Sequence, residues 1–261
     1  MRFLRQNKWF ILSILFCILI LLAFYIVKTP IPYHEYLISE ADVSDILNQT
    51  KNLERKVLVL GLKAYRNACK MGITHSGILT IIDYTKPSDE FRFWTLNLSR
   101  KKMLIETLVA HGIHSGERYA RVFSNVVKNH ASSIGMYLTG RTYIGKHGRS
   151  LRLFGLEKGF NDHVFKRKVV IHSAWYVSEN IAKKYGMIGR SWGCPAVCKR
   201  LISKVINKIK NGTIVFIYYN NEKWLKTSKF LKNNHEKIDS ALKSNICKVQ
   251  PCLTIESDPR A

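Results

Sequence analysis

A succession of short apolar runs separated by turn-forming residues is the feature that most constrains the fold. The runs are rich in β-branched and aromatic residues, and Gly, Pro, Asn and Asp residues stand between them. We expect strands at residues 78–84, 91–98, 103–110, 134–139, 150–154, 169–171 and 213–219. Many short strands in a row predict a mostly β domain of sandwich or barrel-like architecture.

Helical patterns lie on both sides of this strand-rich region. Residues 39–42 resemble a capping box, and the apolar residues behind them recur with helical spacing. One long or two shorter helices are therefore expected within residues 40–71, with Gly72 as the stop. A second helical periodicity, over residues 197–209, predicts one helix that ends at Gly212.

The apolar segment at residues 9–27 contains no charged residue. As a helix it would be about 28 Å long, close to the thickness of a hydrocarbon core. Arg2, Arg5 and Lys8 precede it and only Lys28 follows at once, which predicts a cytoplasmic N-terminus. Its exit lacks a small-x-small cleavage pattern, so we expect an uncleaved single-pass anchor in the cytoplasmic membrane. The rest of the chain would then lie on the periplasmic or extracytoplasmic side.

The patterns divide the chain into four parts. Residues 1–28 form the anchor, residues 29–72 a spacer and helical segment, and residues 73–220 the strand-rich domain. Residues 221–261 form a basic tail, for which we expect loose packing or helix.

The net charge of +24 narrows the class of partner. Such a field attracts polyanions, which include nucleic acid, anionic lipid and an anionic cell envelope. The chain has no arginine-rich arm, paired Cys/His finger or aromatic RNA-binding signature, so we expect no nucleic-acid partner.

The six cysteines give a mixed signal. Cys247 and Cys252 are close enough to form a small disulfide loop in an oxidising compartment, and the sequence leaves open whether they are bonded. Cys69 is expected to be a buried apolar residue. Cys198, four residues past Cys194 and so one helical turn on, is expected to be structural.

The segment 189–196 carries the strongest chemical signal. Cys194 falls just before the predicted helix, and Pro195 suits its first turn. The positive end of a helix favours a thiolate, which is the nucleophilic form of cysteine. Pro195 has no N–H, so the N–H groups of Gly193 and Cys194 are the expected donors to an oxyanion.

A cysteine nucleophile needs a base, and His172 is the best candidate among nine histidines. It ends a predicted strand, where its side chain would be held at the edge of a cleft. The carbonyl of Ser173 is the expected orienting partner. The alternative is a structural cysteine together with a hydrogen-bonded histidine that has no catalytic role.

Two further histidine-containing segments are candidates for the cleft. His111 and His114 follow a predicted strand, and we favour a pocket-lining role for them over metal binding. Lys146 and His147, flanked by glycines, could meet a substrate carboxylate or could simply form a hairpin turn.

Several motifs in chain order resemble one known family. They are Ala110-His111-Gly112, Phe123-Ser124-Asn125, Ser132 to Tyr137, Tyr143 to Gly148, Gly155-Leu156-Glu157, His172 and Gly189 to Pro195. Together they cover roughly residues 60–220 and resemble the murein L,D-transpeptidase catalytic-domain family, a branch of the YkuD-type transpeptidases.

The resemblance implies a mostly β domain that acts on stem peptides of bacterial peptidoglycan. A cysteine would attack the carbonyl before the terminal D-alanine, and an amine would resolve the resulting thioester. Carried over, Cys194 is the nucleophile, His172 the general base and acid, Ser173 the orienting carbonyl and Gly193 an oxyanion donor. The residues expected to contact substrate are Trp192, Arg190, His111, His114, Lys146 and His147. No cofactor or metal is implied.

One departure from the wider superfamily concerns Trp192. That position usually holds a histidine two residues before the cysteine, so any role of that histidine must be absent or supplied elsewhere. Trp192 could instead offer an apolar wall to the stem peptide. Three alternatives stay open: an L,D-carboxypeptidase that uses water, a non-catalytic wall-binding protein, and a metal-dependent peptidase built on His111 and His114.

Overall fold

A computed structural model of the protein describes residues 38–232. Its helices are α1 (Glu40–Asn48), α2 (Arg55–Lys70), α3 (Glu179–Tyr185), α4 (Ile202–Ile209) and α5 (Glu222–Thr227), with a 3-10 turn at Ile113–Ser115. Its strands are β1 (Ile78–Asp83), β2 (Phe93–Asn97), β3 (Lys102–Thr107), β4 (Gly135–Gly145), β5 (Gly148–Gly155), β6 (Val170–Ala174), β7 (Ala196–Cys198) and β8 (Ile214–Tyr218). A strand lies at each predicted position, so the prediction of a mostly β fold is confirmed.

All eight strands belong to one mixed sheet of order β3-β2-β1-β8-β4-β5-β6-β7. The pairs β1–β8 and β6–β7 are parallel, and the other neighbours are antiparallel. The chain leaving β3 also reaches the opposite edge, where the Ala110 N–H donates to the Ala196 carbonyl at 2.8 Å. This bridge nearly closes the sheet, in agreement with the barrel-like expectation.

Both faces of the sheet are covered, which explains why the central strands are almost wholly buried. On one face α2 packs against β1, and Gly61 allows the approach because a Cβ there would lie 3.0 Å from Ile81. The apolar side of α4, with Val205 and Ile206, packs in a second core cluster that includes Leu151 of β5. Burial of these clusters supplies the main favourable free energy of folding.

The N-terminal helical segment forms two helices rather than one. The Ser39 side chain accepts from the Asp42 N–H and the Asp42 carboxylate accepts from the Ser39 N–H, which is the expected capping box. The second helix ends at Lys70, and Gly72 follows with φ of +69°. The left-handed conformation is the one a glycine stop permits at low cost.

The sequence predicted a helix that begins just after Cys194, and this predicted start is wrong. Residues 196–198 form strand β7, and α4 begins only at Ile202. The apolar residues Ala196 and Val197 are buried because β7 pairs with β6 on one side and bridges to Ala110 on the other. Cys194 therefore does not sit at a helix N-terminus, and Cys198 is a partly buried strand residue instead of lying one helical turn away.

The C-terminal end of the described region is packed. Helix α5 begins after Asn221, whose side chain accepts from the Trp224 N–H, and Trp224 and Phe230 are fully buried. No helix within residues 38–232 is long and apolar enough to cross a membrane. The predicted anchor at residues 9–27 and the pair Cys247 and Cys252 lie outside the described residues.

Candidate active site

A cleft of about 720 Å³ lies beside the pair formed by β6 and β7. The parallel register pairs His172 with Ala196, and the His172 N–H donates to the Pro195 carbonyl at 3.4 Å. This pairing brings the side chains of His172 and Cys194 into the wall of the same cleft.

The Cys194 sulfur lies in the wall of the cleft, and the residue is partly buried. The Val170 N–H points at Sγ from 3.5 Å, and the Lys168 carbonyl is 3.9 Å away. Burial raises the pKa of Cys194, while the Val170 N–H and the positive charges of Arg167 and Lys146 act in the opposite direction. Burial dominates, so the resting sulfur is a neutral thiol at neutral pH.

The His172 imidazole is oriented by the backbone. Its Nδ1 lies 2.9 Å from the Ser173 carbonyl, the contact that the sequence analysis expected. A carbonyl only accepts, so Nδ1 carries the proton and Nε2 is left as an acceptor. Burial lowers the pKa of His172, the Ser173 carbonyl opposes that shift, and nearby His147 and Lys146 lower it further. The imidazole is therefore neutral and able to take a proton.

The loop at residues 189–195, named the nucleophile loop for the role predicted for Cys194, is fastened by two serine side chains. Ser191 Oγ donates to the Cys194 carbonyl at 2.6 Å and accepts from the Gly193 N–H at 3.2 Å. Ser132 Oγ donates to the Gly193 carbonyl at 3.2 Å. Gly193 has φ of +103°, and a Cβ there would lie 2.8 Å from the Ala131 carbonyl oxygen, so the turn requires glycine.

These bonds change the expected oxyanion site. The Gly193 N–H, predicted as a free donor, is occupied by Ser191 Oγ because the loop folds back on that side chain. The Cys194 N–H has no hydrogen-bond acceptor within the described part of the chain. Of the two donors proposed from the sequence, Cys194 is the one whose N–H is free to meet an oxyanion.

Lys146 and His147 occupy the tip of the β4–β5 hairpin and also line the cleft, so the hairpin turn and the cleft position are both present. The His147 ring stacks on His172 at 4.3 Å between centroids. The ammonium of Lys146 lies 5.4 Å from the centroid of Trp192, whose residue is 67% exposed. Trp192 stacks on His130 at 4.6 Å between ring centroids, and the two rings form an aromatic rim of the cleft. The role of Trp192 as an apolar wall for substrate stays a prediction.

The remaining predicted contacts divide between the cleft and the interior. Arg190 lines the cleft and lies 3.8 Å from Glu117. His114 lies next to the rim, where its ring faces His130 at 5.3 Å. No group of three or more His, Cys, Asp or Glu residues within residues 38–232 is arranged to hold a metal ion.

His111 was expected to line the pocket, but the structure places it in the interior. It is fully buried, Arg92 donates to its Nδ1 at 2.8 Å, and its Nε2 lies 3.3 Å from the Gly116 carbonyl. Burial and the charge of Arg92 lower the pKa of His111 to about 3. Both ring nitrogens are occupied, so this histidine contacts neither a metal nor the cleft. Its carbonyl accepts from the Ser191 N–H, which gives it a structural link to the nucleophile loop.

Three residues of the site were given no role of their own in the sequence analysis. Ser191 and Ser132 act through bonds to a loop whose geometry the sequence does not reveal. Arg167 stands in the run Lys166-Arg167-Lys168, which reads as solvated surface charge. The structure instead places its guanidinium against the nucleophile loop and in the cleft wall.

Comparison with known proteins places this site in a family context. A protein-family model described as the L,D-transpeptidase catalytic domain matches residues 49–218. This match confirms the resemblance drawn from the sequence motifs. A comparison with curated proteins found no match.

The solved structures similar to this chain include L,D-transpeptidases. One from Mycobacterium smegmatis is 11% identical, with 55% of this chain and 59% of that chain covered and a TM-score of 0.33. One from Stackebrandtia nassauensis is 13% identical, with 73% and 93% covered and a TM-score of 0.34. The helical cell shape determining protein Pgp2 from Campylobacter jejuni is 11% identical, with 58% and 54% covered and a TM-score of 0.36. The chain thus spans 59% of the length of the first of these structures.

Proposed function

Because the chain belongs to the family of L,D-transpeptidase catalytic domains, we propose that it is a cysteine-dependent peptidoglycan L,D-transpeptidase. The observation that carries the proposal is the pairing of Cys194 with an oriented, neutral His172 in one cleft. An alternative with the same first step is an L,D-carboxypeptidase, in which water replaces the amine acceptor.

The first half-reaction would begin from the neutral thiol and the neutral imidazole. His172 Nε2 takes the thiol proton as Sγ bonds to the carbonyl carbon that precedes the terminal D-alanine. The Cys194 N–H stands ready to donate to the developing oxyanion. The C–N bond then breaks, His172 returns the proton to the departing amine, D-alanine leaves, and a thioester on Cys194 remains.

The second half-reaction would consume the thioester. An acceptor amine attacks the thioester carbonyl and gives its proton to His172. The C–S bond breaks, the new amide bond forms, and the thiolate recovers the proton from His172. Attack by water in place of the amine would release a free acid, which is the carboxypeptidase outcome.

The charge of the cleft suits a carboxylate-bearing substrate. Its lining residues include Lys128, Lys146, Lys166, Arg167, Lys168 and Arg190, and none of the residues that line it is Asp or Glu. Stem peptides carry carboxylates, and a cleft lined by one sign of charge raises the local concentration of the opposite sign. This supports the peptidoglycan substrate without deciding which amine is the acceptor.

A direct test uses the purified full-length chain with tetrapeptide muropeptides, read by mass spectrometry. We expect loss of D-alanine, new cross-linked dimers, and a transient hydroxylamine-sensitive mass increase on the peptide that contains Cys194. The variant Cys194→Ala should lose all three signals. Cys198→Ala is the matched control, because Cys198 lies four residues further along the chain, on β7, and does not line this cleft, and it should keep them.

The outcomes separate the alternatives. Loss of D-alanine without dimers, in the presence of muropeptide acceptors, would assign the carboxypeptidase. A folded protein that leaves the muropeptides unchanged, or a Cys194→Ala variant that still turns them over, would refute the proposed function.

We also propose that residues 9–27 anchor the chain in the cytoplasmic membrane with the catalytic domain outside. The support is the uncharged run and its basic N-terminal flank. The chain should resist alkaline carbonate extraction, and the double variant Leu15→Arg, Leu19→Arg should be extracted. Added protease should reach the catalytic domain in intact spheroplasts. Extraction of the unsubstituted chain would contradict the anchor.

A further inference from the structure

Arg167 is fastened to the segment that lies beneath the nucleophile loop. The residue is partly buried, and its guanidinium donates to the carbonyls of Ser124, Asn129 and Ala131 and to the Ser133 hydroxyl. Each of these acceptors is electrically neutral. The bonds fix the position of the charge without cancelling it.

The charge of Arg167 has no carboxylate partner within residues 38–232. Its Nε is buried and makes no hydrogen bond within the same residues. Arginine is always protonated at neutral pH, and a buried charge is normally paired. An unpaired guanidinium at this depth favours the formation of a negative charge beside it.

A negative charge would form close to this guanidinium if Cys194, on the nucleophile loop, loses its proton. A Cβ built on Gly193 would lie 3.2 Å from Arg167 Nη2, and Arg167 and Cys194 line the same cleft. The sequence assigned thiolate stabilisation to a helix N-terminus, but α4 starts at Ile202 and does not supply it. The loop therefore needs another source of positive potential.

We propose that Arg167 is a positioning residue whose unpaired charge stabilises the Cys194 thiolate as it forms. The proposal rests on the proposed role of Cys194 as the nucleophile. It adds that the Arg167 guanidinium, and not a helix N-terminus, supplies positive potential to the thiolate, and that this effect can be measured. The same four bonds hold the segment 124–133 against the loop.

Other titratable groups near Cys194 also influence the pKa of its thiol. His172 lies on β6, Lys146 is at the hairpin tip, Tyr176 follows β6 and Tyr84 follows β1. All of them are retained when Arg167 is changed, so a difference between variants reports the guanidinium.

The test measures the rate at which iodoacetamide alkylates Cys194 in the full-length chain as a function of pH, followed by mass spectrometry of the peptide that contains it. This readout needs no substrate and therefore does not depend on the proposed reaction. We expect Arg167→Gln to move the pH midpoint upward and to slow alkylation at pH 7 by about tenfold, the effect of a lost opposite charge nearby. Arg167→Lys keeps the charge and should keep the midpoint near that of the unsubstituted chain, while its thermal stability falls.

Two further variants sharpen the result. Lys166→Gln removes a charge from an exposed side chain of the same cleft, and solvent screening should limit its effect to about a third of that of Arg167→Gln. Asn129→Asp retains the side-chain oxygen that accepts from the Ala131 N–H and adds a carboxylate near the guanidinium. It should move the midpoint upward in a folded protein, and it carries the test if Arg167→Gln does not fold.

The proposal fails if the midpoint is unchanged in Arg167→Gln, or in Asn129→Asp where the former cannot be purified. It also fails if Arg167→Lys moves the midpoint as far as Arg167→Gln, because a purely structural role would then explain both. Failure of the proposed function would look different: Cys194 alkylation would still depend on Arg167, but muropeptides would stay unchanged.

Discussion

Substitution His111→Asn is expected to remove a large part of the chain's sensitivity to mild acid. His111 is fully buried, and a donated Arg92 N–H occupies its Nδ1 at 2.8 Å. A proton on that nitrogen would face the guanidinium and break the bond. Asparagine offers a carbonyl oxygen near the position of Nδ1 and does not titrate, so it keeps the acceptor for Arg92 while removing the titration.

The magnitude follows from the shift in pKa. The pKa of His111 is about 3 in the folded chain, against 6.5 for an ordinary histidine. The unfolded chain therefore binds a proton between these values that the folded chain does not, and the stability that His111 contributes is complete above pH 6.5 and lost as pH falls. At pH 5, about 1.5 units below the unfolded value, the loss is about 2 kcal/mol.

The assay is urea denaturation of both chains at several pH values between 5 and 8. The unsubstituted chain should lose about 2 kcal/mol more than His111→Asn does over that range. His172, whose pKa is also lowered, is present in both chains and cancels in the difference. Parallel stability curves would refute the assignment of a buried neutral His111. Curves that differ by the same amount at every pH count as parallel, because such an offset reports only the cost of the substitution itself.

Three further predictions concern the nucleophile loop and its base. Ser191→Ala should lower the free energy of unfolding by about 1–3 kcal/mol, because it leaves the Gly193 N–H and the Cys194 carbonyl without their hydrogen bonds. Urea denaturation measures this loss, and an unchanged midpoint would contradict the stabilising role of the Ser191 hydroxyl. Gly193→Ala should abolish muropeptide turnover, whereas Gly186→Ala, with φ of +66° but open space around the Cβ, should keep it; equal activity of the two would contradict the steric argument. The acid limb of the profile of kcat/KM against pH should fall below pH 6.5, since burial lowers the pKa of His172; a limb above that value would exclude His172 as the neutral base.

The sequence predicts the strands well where the local pattern and the final environment agree. Strands β1 and β8 are short continuous apolar runs, and such runs are typical of strands buried on both faces. Strand β7 fails this test because it has only three residues, and its apolar side chains continue into the helical spacing of α4. What decides its conformation is pairing with β6 and with Ala110, which are far away in sequence.

The candidate site, like the strands, could be predicted only where the local sequence pattern agrees with the final environment of the residue. Cys194 stands in a recognisable local setting, with a glycine beside it. His172 was predicted to end a strand, but it lies within β6 (Val170–Ala174), which continues past it because it pairs with β7. His111 looked like a cleft residue because nothing nearby in sequence reveals that Arg92 fills the space beside it. Arg167 was invisible because the acceptors that fix it lie in a distant segment, residues 124–133.

Burial of Cys194 and the positive charges near it shift its pKa in opposite directions, and together they favour one order of steps in the proposed reaction. Burial keeps the resting thiol neutral, while the charges of Arg167 and Lys146 make its ionisation less costly. A substrate carboxylate bound among the cleft cations would offset part of that positive charge and make a free thiolate harder to form. Proton transfer to His172 is then most favourable when it accompanies attack on the carbonyl, where the negative charge passes at once from sulfur to an oxyanion near the Cys194 N–H. A neutral acid and base pair inside a basic cleft therefore suits the proposed reaction, in which the chain would bind an anionic donor and still ionise its nucleophile.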